Sequence, residues 1–498
     1  MNIEHVEKSY QELESDSTLQ NLIAQANARY ILYNTEESKE NFPRYTIKDE
    51  QLNILAFKYL NIGCNYFSEH NYLKASHSLE KGALILEYIH GSIHIQTKNK
   101  KLFCLISALS YYVCFQYSKA FILIGKLESD TMISSLVSLF LNRKFDQLLS
   151  EIDKLITNSS YGDEYLAEHF EEDNATKIYE IIIAKSLNYY VQFYQTGNKD
   201  FLEIAKKDLV NLQEVAAMRG EPDVWWVIRL LLLIIDGFKE SSLWYVLGNY
   251  FNTEDKLPLK YIQSLVYKNG SITELFLTQR NSLPKVLNNK QGSIVSIPTS
   301  SGKTRIGEIA ILNCLLNEPK AKILFIAPYR SLAYEIENSF DEIFSNLDVS
   351  VSHLYGGSLF SKLDERIIDE SSVIVATPEK AKALFRSNED ILSCIKLVII
   401  DEGHLLGTDK RLIVNEMFYE ELKYHVKANG GRFLLLSAVL PNAEDLSEWL
   451  TDSTDNVYKE NWRPSDERIG IMEWNGVSVN LNWKSTDAER NSFNPNFI

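Results

Sequence analysis

Beyond about residue 271 the chain alternates short strand-like runs, most of them continuously apolar, with amphipathic helical stretches. Residues 293–298, 323–327, 349–354, 373–376, 397–400 and 433–436 each read as a strand, with helix-period sequence between them. Strands that are apolar on both faces must be covered on both faces, and strands joined through helices run parallel. The expected fold of this half is a doubly wound α/β domain around a parallel sheet. Asn429-Gly430-Gly431 should close the helix before the last of these strands, and Asn442 with Asp445 should open the next helix.

The part before about residue 255 has a different texture. It is helical in period almost throughout, and a length of 498 residues leaves room for about three domains in all. Between residues 51 and 90, Tyr59, Ile62, Gly63, Tyr66, Ala75, Leu79 and Gly82 follow the tetratricopeptide order, in which small residues let two antiparallel helices approach closely. Weaker echoes occur at Cys104, Ala108, Tyr111, Ala120 and Ile124, and as a half-copy at Trp244, Leu247, Gly248 and Phe251. The first two copies lie about 45 residues apart rather than the roughly 34 of a regular array, so irregular helical hairpins or a generic all-helical domain are both open. The expected organisation is a helical accessory domain over 1–255, an α/β domain over 256–455, and a linker with a hairpin over 456–498. In that last stretch Asn475-Gly476 centres a type I′ turn within residues 469–483.

Composition excludes several classes. With 45% hydrophobic and 24% charged residues the chain is not disordered, and 67 acidic against 51 basic residues (net charge −16) argue against a wholly basic nucleic-acid-gripping surface. A local basic groove is still allowed. Five scattered cysteines without a C-x-x-C read as reduced thiols. The polar, acidic first twenty residues are no signal peptide, and the apolar run 224–235 is too short to span a bilayer and carries Arg229. The expected location is the cytoplasm, with no membrane partner. His90 and His94 lack an H-E-x-x-H setting for a metal, and Trp225 with Trp226 reads as core rather than as a stacking platform.

Two short segments carry chemistry. The strand 293–297 runs into Pro298-Thr299-Ser300-Ser301-Gly302-Lys303-Thr304, followed at once by a helix. Such a loop aims backbone N–H groups and a helix N-terminus at a phosphate; Lys303 would reach the β- and γ-phosphates of a nucleotide and Thr304 would bind Mg²⁺. Ile297 stands where the full G-x-x-x-x-G-K-T pattern has its first glycine, and a tight strand–helix turn with an exposed lysine is the plain alternative. The run 396–400 then ends in Asp401-Glu402-Gly403-His404. At the carboxyl end of a parallel strand, Asp401 is placed to hold Mg²⁺, usually through water, and Glu402 to orient and deprotonate an attacking water. Two adjacent carboxylates could otherwise cap a helix.

The order of these segments resembles the superfamily 2 helicases of the DExH type, most of all their Ski-type branch, over roughly residues 271–465. That branch's phosphate loop also lacks the first glycine. Ala327-Pro328-Tyr329-Arg330-Ser331-Leu332-Ala333 is similar to motif Ia, Tyr355-Gly356-Gly357 and Thr377-Pro378-Glu379-Lys380 to motif Ib, Asp401–His404 to motif II, and Ser437-Ala438-Val439-Leu440-Pro441 onward to motif III. Gln279 lies where such enzymes place an adenine-reading glutamine. The resemblance implies a RecA-like domain using ATP and Mg²⁺. Its nucleotide contacts would come from Gln279 and from Thr299 to Thr304. Pro328, Arg330, Gly356, Gly357, Thr377, Pro378 and Glu379 would grip the backbone of DNA or RNA. His404 would connect the ATP site to motif III, where Ser437 and Ala438 pass the signal onward. Contacts to the backbone carry no base information, so binding would be sequence-independent and salt-sensitive. Val439 replaces the usual threonine of S-A-T, which places the coupling step in question.

Hydrolysis in this family needs a second RecA-like domain carrying motifs IV–VI and their arginine fingers. About 60 residues follow motif III, without a Q-x-x-G-R-x-x-R pattern, and Trp462-Arg463-Pro464 resembles the start of the branch's linker. The chain therefore reads as an N-terminal helicase fragment, inactive or weak alone, or else as a naturally short nucleotide-dependent module. A rival reading makes it an interaction scaffold, its helical half docking a protein partner and its motor half a switch or inert. A helical appendage on a DExH motor also fits a bacterial anti-phage defence system, the Hachiman type being one candidate, in which the helicase senses nucleic acid and controls an effector such as a nuclease.

Overall fold

The structure, a computed structural model, describes residues 3–34, 49–91, 100–127, 131–158, 172–354, 366, 368–387, 393–405, 410–438, 440–463, 469–474 and 479–484. It divides into two compact units, Lys239–Arg463 and Met1–Phe238 together with Pro464–Ile498.

The described part of the first unit is helical apart from one hairpin. Its helices are α1 (Ile3–Ser15), α2 (Ser17–Asn34), α3 (Asp49–Ser68), α4 (Tyr72–His90), α5 (Lys100–Val113), α6 (Tyr117–Ile124), α7 (Met132–Leu141), α8 (Phe145–Asn158), α9 (Glu172–Thr196), α10 (Asp200–Arg219) and α11 (Pro222–Ser241). Helices α3 and α4 form the antiparallel hairpin that the spacing of small residues predicts. A Cβ on Gly63 would stand 2.6 Å from Leu79 Cγ, and one on Gly82 would stand 2.7 Å from Leu60 Cγ. Helix α5 continues the stack, with Cys104, Ala108 and Tyr111 buried and the Ser107 hydroxyl donating to the Ala83 carbonyl of α4. Helix α1 buries only Val6 and Leu13 and is fastened by ion pairs, Glu7 to Lys74 at 2.7 Å and Glu14 to Lys81 at 2.6 Å. The apolar run in α11 is buried from Val227 to Ile235 apart from Arg229, whose guanidinium donates to Ser68 Oγ at 3.3 Å. Trp225 and Trp226 are half-buried rather than core; Trp226 packs on Phe57, with ring centroids 5.2 Å apart.

The strands β8 (Ile469–Trp474) and β9 (Val479–Lys484) pair antiparallel, in register from Ile469 opposite Lys484 to Trp474 opposite Val479. The turn residues Asn475 and Gly476 lie outside the described residues.

In the second unit come α12 (Leu243–Gly248), α13 (Lys256–Val266), α14 (Leu277–Asn288), β1 (Gly292–Ser296), α15 (Lys303–Asn317), β2 (Lys322–Ile326), α16 (Arg330–Phe344), β3 (Val351–Leu354), β4 (Val373–Ala376), α17 (Pro378–Ser387), β5 (Ile395–Ile400), α18 (Lys410–Ala428), β6 (Arg432–Ser437), α19 (Ala443–Thr451) and β7 (Val457–Lys459). The seven strands form one sheet in the order β3-β4-β2-β5-β6-β1-β7, with every pairing parallel. The fold is thus a helical region followed by one RecA-like α/β domain. The residues of β1 and β4 are buried throughout, as strands covered on both faces require. On one face Phe418, Tyr419, Leu422 and Val426 of α18 pack with Val398, Phe433 and Leu435.

One boundary differs from the sequence reading. Residues 239–255 group with the sheet, because backbone bonds from Leu243 N to Thr273 O (3.0 Å) and from Leu275 N to Ser241 O (2.8 Å) tie them to the segment before α14. The half-copy at Trp244–Phe251 is accordingly no further hairpin of the helical stack; it is the six-residue α12 and its turn. Strand β7, three residues long and only partly buried, has no sequence signature and was not expected. Gly430, at φ 74, ends α18 as foreseen, whereas Asn442 occupies the N-cap of α19 without a side-chain cap bond.

Candidate nucleotide and nucleic-acid site

The carboxyl ends of β1, β5 and β6 lie side by side, so the loops that leave them meet. The loop after β1 passes through two left-handed residues, Ser300 (φ 68) and Gly302 (φ 75), the second being the N-cap of α15. At Gly302 the left-handed backbone and a close neighbour act together: a Cβ there would run into the amide of Gln279. Thr299 and Ser300 are exposed on the crest of the loop, while Ser301 is fully buried with its hydroxyl donating to the Trp462 carbonyl at 3.4 Å.

Lys303 opens α15, where a cation opposes the positive end of the helix dipole. It is held by the carboxylate after β5: Lys303 Nζ lies 3.2 Å from Glu402 Oε1 and 3.1 Å from Oε2. Glu402 has the left-handed φ of 51, a conformation that costs a non-glycine residue on the order of 1 kcal/mol. Its N–H donates to Asp401 Oδ1 at 2.9 Å. Asp401 is buried, and burial followed by the Glu402 charge pushes its carboxyl up to about 6, despite that bond and the nearby Lys303. Gly403 packs under β6; a Cβ there would stand 2.6 Å from Leu435 Cγ.

His404 Nδ1 faces Glu402 Oε2 at 3.1 Å and Ser437 Oγ, at the end of β6, at 3.4 Å. Lys303, Glu402, His404 and Ser437 therefore form one continuous polar chain. Ser296 was not singled out from the sequence, yet its hydroxyl accepts from Leu440 N at 2.9 Å and donates to the Ala438 carbonyl at 3.3 Å, fastening motif III beside the phosphate loop. A serine ending a buried strand carries no distinguishing signal. Thr304 follows Lys303 in the first turn of α15; Val439 lies outside the described residues.

Gln279 is buried in α14, accepting from Phe276 N at 2.9 Å and donating through Nε2 to the Gly302 carbonyl at 3.0 Å. Its amide thus bridges the start of α14 to the phosphate loop.

The residues expected on the nucleic-acid side divide. Arg330 is exposed and begins α16, again a cation at a helix N-terminus, a position better suited to meeting an anion than to stabilising the helix. Thr377 is buried and its hydroxyl accepts from Lys380 N at 3.4 Å, capping α17, and Pro378 offers no N–H. Glu379 is exposed. Gly356 and Gly357 lie outside the described residues. Pro328, Tyr329, Pro378, Asp401 and Glu402 line one cleft, which brings the motif Ia and Ib segments to the acidic end of β5.

The arrangement suits Mg²⁺ and a triphosphate. A buried carboxyl with a raised pKa is stabilised by a divalent cation, and the Lys303 ammonium, already drawn to one anion, can take another. Among the described residues no group of three or more His, Cys, Asp or Glu side chains is placed to hold a metal on its own, so phosphate oxygens and water would complete the shell. The five cysteines are free, four of them buried. His90, which ends α4, is pushed by burial down to about 4; His94 lies outside the described residues. No described helix is long and apolar enough to cross a membrane.

Residues 277–446 match the DEAD/DEAH box helicase family. The whole chain aligns with the Hachiman protein HamB of Bacillus cereus at 41% identity, covering 100% of this chain and 44% of that protein. The ATP-dependent DNA helicase Hel308 of Thermococcus kodakarensis is 33% identical over 44% of this chain and 18% of its own length. The solved structure of the DUF1998 helicase MrfA bound to DNA and AMPPNP matches with a TM-score of 0.36 at 19% identity, over 42% of this chain and 30% of that one. The chain spans less than half the length of these curated relatives. The family match, like these alignments, says what residues 277–446 are similar to: a DEAD/DEAH box helicase domain.

Proposed function

We propose that this chain is the ATP-binding part of a DExH-type helicase or translocase that moves on DNA or RNA and serves bacterial anti-phage defence. The observation that carries the reading is the polar chain Lys303–Glu402–His404–Ser437, which joins the phosphate loop to motif III in bonds of 3.1–3.4 Å. Lys303 draws the β- and γ-phosphates into the loop, with Thr299, Ser300 and the N-terminus of α15 around them. Thr304 and Asp401 would hold Mg²⁺, whose charge would neutralise that of the phosphates. Glu402 leaves Lys303 when phosphate arrives, orients a water and takes its proton as the water oxygen attacks the γ-phosphorus and ADP leaves with the bridging oxygen's electron pair. His404 senses that movement and relays it to Ser437 and Ala438. Arginine fingers are supplied by a second RecA-like domain, as the greater length of the relatives allows.

The defence role rests on similarity along the whole of this chain to 44% of a Hachiman protein. The helical unit then docks a protein partner, an effector such as a nuclease, and the protein works in the cytoplasm. The experiment is ATP turnover by the chain with and without single-stranded DNA or RNA, beside Lys303→Ala, followed by plaque counts with wild-type and Lys303→Ala genes in their full-length setting. Lysine-dependent nucleotide binding and lysine-dependent protection support the reading; protection that survives Lys303→Ala contradicts the motor's part in it.

A further inference from the structure

The segment leaving β7 returns to the phosphate loop. Glu460 N donates to the Ser296 carbonyl at 3.2 Å, and the Glu460 carboxylate accepts from Asn461 N at 2.9 Å and Trp462 N at 3.3 Å. This folded tip presents the Trp462 carbonyl to the hydroxyl of fully buried Ser301. The indole of Trp462 lies over the ring of Phe276, with centroids 6.0 Å apart and planes at 48°. Phe276 is in turn the N-cap of α14, bonded to Gln279, which bonds the Gly302 carbonyl. A Cβ on Gly302 would stand 3.7 Å from Phe276 Cδ2. Phe276, Gln279, Gly302, Ser301 and Trp462 thus form a closed ring of contacts around the loop, and both aromatic rings are only partly buried.

Partly exposed aromatic surface beside a phosphate loop has one evident use. A purine presents a flat π-face and gains by stacking, whichever hydrogen bonds its edge makes. Two rings at 6.0 Å leave no slot for a base between them, so the base must lie against the shelf they make together. We propose that Trp462 is a nucleotide-binding residue: with Phe276 it forms the shelf that takes the purine base. Its carbonyl contact with Ser301 makes the tip at 460–462 follow the filling of the phosphate loop. The proposal rests on the nucleotide reading of Lys303 and adds to it a residue at the far end of the domain.

Base and phosphate can be separated by probe. Binding of ATP and of inorganic triphosphate, each with Mg²⁺, would be measured by calorimetry for the wild-type chain, Trp462→Leu, Trp462→Phe and Lys303→Ala. The expected result is ATP affinity lower by about tenfold in Trp462→Leu and within about threefold of wild type in Trp462→Phe, with triphosphate affinity unchanged in both. Lys303→Ala should lose both ligands. Equal weakening of ATP and triphosphate by Trp462→Leu overturns the proposal, because Trp462 would then merely brace the loop. ATP affinity unchanged in both Trp462 variants overturns it too, while leaving Lys303-dependent binding in place. Wild-type binding that ignores Lys303→Ala overturns the nucleotide reading and the shelf together. Should Trp462→Leu unfold, as a melting curve would show, weakening of ATP but not triphosphate by Trp462→His decides the matter in the same way.

Discussion

Lys303 and Glu402 hold each other across the ends of neighbouring loops, Nζ to Oε2 at 3.1 Å, in the space where a terminal phosphate and an attacking water would have to sit. The two roles assigned to this pair therefore exclude the pair itself: phosphate must displace the carboxylate before the carboxylate can act. Glu402→Gln should bind ATP at least as tightly as wild type, since the lysine loses its charged competitor. Wherever the wild-type chain, alone or supplied with a second RecA-like domain, turns ATP over, turnover should fall by about 10²-fold or more. Calorimetry and phosphate release check the two halves separately.

Asp401 gives a pH signature. Its carboxyl is raised by burial and by the Glu402 charge to about 6, so keeping it ionised in the folded chain costs stability. The sign follows directly: the folded state holds the proton more tightly than the unfolded one. The cost is therefore absent below the ordinary carboxylate pKa, grows as pH rises toward 6, and is complete above it, at about 3 kcal/mol. Asp401→Asn should stabilise the chain without Mg²⁺ and nucleotide at pH 7.5, and the gain should shrink at pH 5. Wild-type Mg²⁺-dependent nucleotide binding should weaken as pH falls through 6. Thermal melts and titrations at the two pH values test both.

In the helical unit, Gly63 faces Leu79 with no room for a methyl group: a Cβ would meet Leu79 Cγ at 2.6 Å and Leu79 N at 2.9 Å. Because one neighbour is backbone, a rotamer change does not relieve the clash. Gly63→Ala should destabilise the unit by about 1–3 kcal/mol despite alanine's better helix propensity. A melting curve that rises instead would show the hairpin to be looser than described.

Ser437 touches His404 through its hydroxyl alone, at 3.4 Å. Ser437→Ala should leave ATP affinity within about twofold. Wherever nucleic acid stimulates turnover by the wild type, it should reduce that stimulation several-fold, because the lost bond joins His404 to motif III. Equal effects on basal and stimulated turnover would show that the bond supports the site rather than the coupling.

The sheet was legible because its strands are buried on both faces, and an unbroken apolar run such as 373–376 admits little else. That residues 298–304 and Asp401–Glu402 would meet was legible because each follows a buried strand of one parallel sheet. What the sequence hid is assembled from distant segments. Ser296 and Trp462 act through residues more than a hundred positions away, and neither carries a local pattern. Strand β7 is too short and too exposed to show a period. The unit boundary lies earlier than the sequence suggests, since Trp244–Phe251 look like helical repeat while Ser241 and Leu243 just before them bond to Leu275 and Thr273.

Anchoring of a nucleotide by Lys303 at the end of β1 is decided by titrating ATP with Mg²⁺ into the wild-type chain and into Lys303→Ala at pH 7.5. Saturable one-to-one binding is expected, weakened at least a hundredfold, by about 2.7 kcal/mol or more, in the variant. Equal binding by the two chains, or none by the wild type while it remains folded, would contradict it.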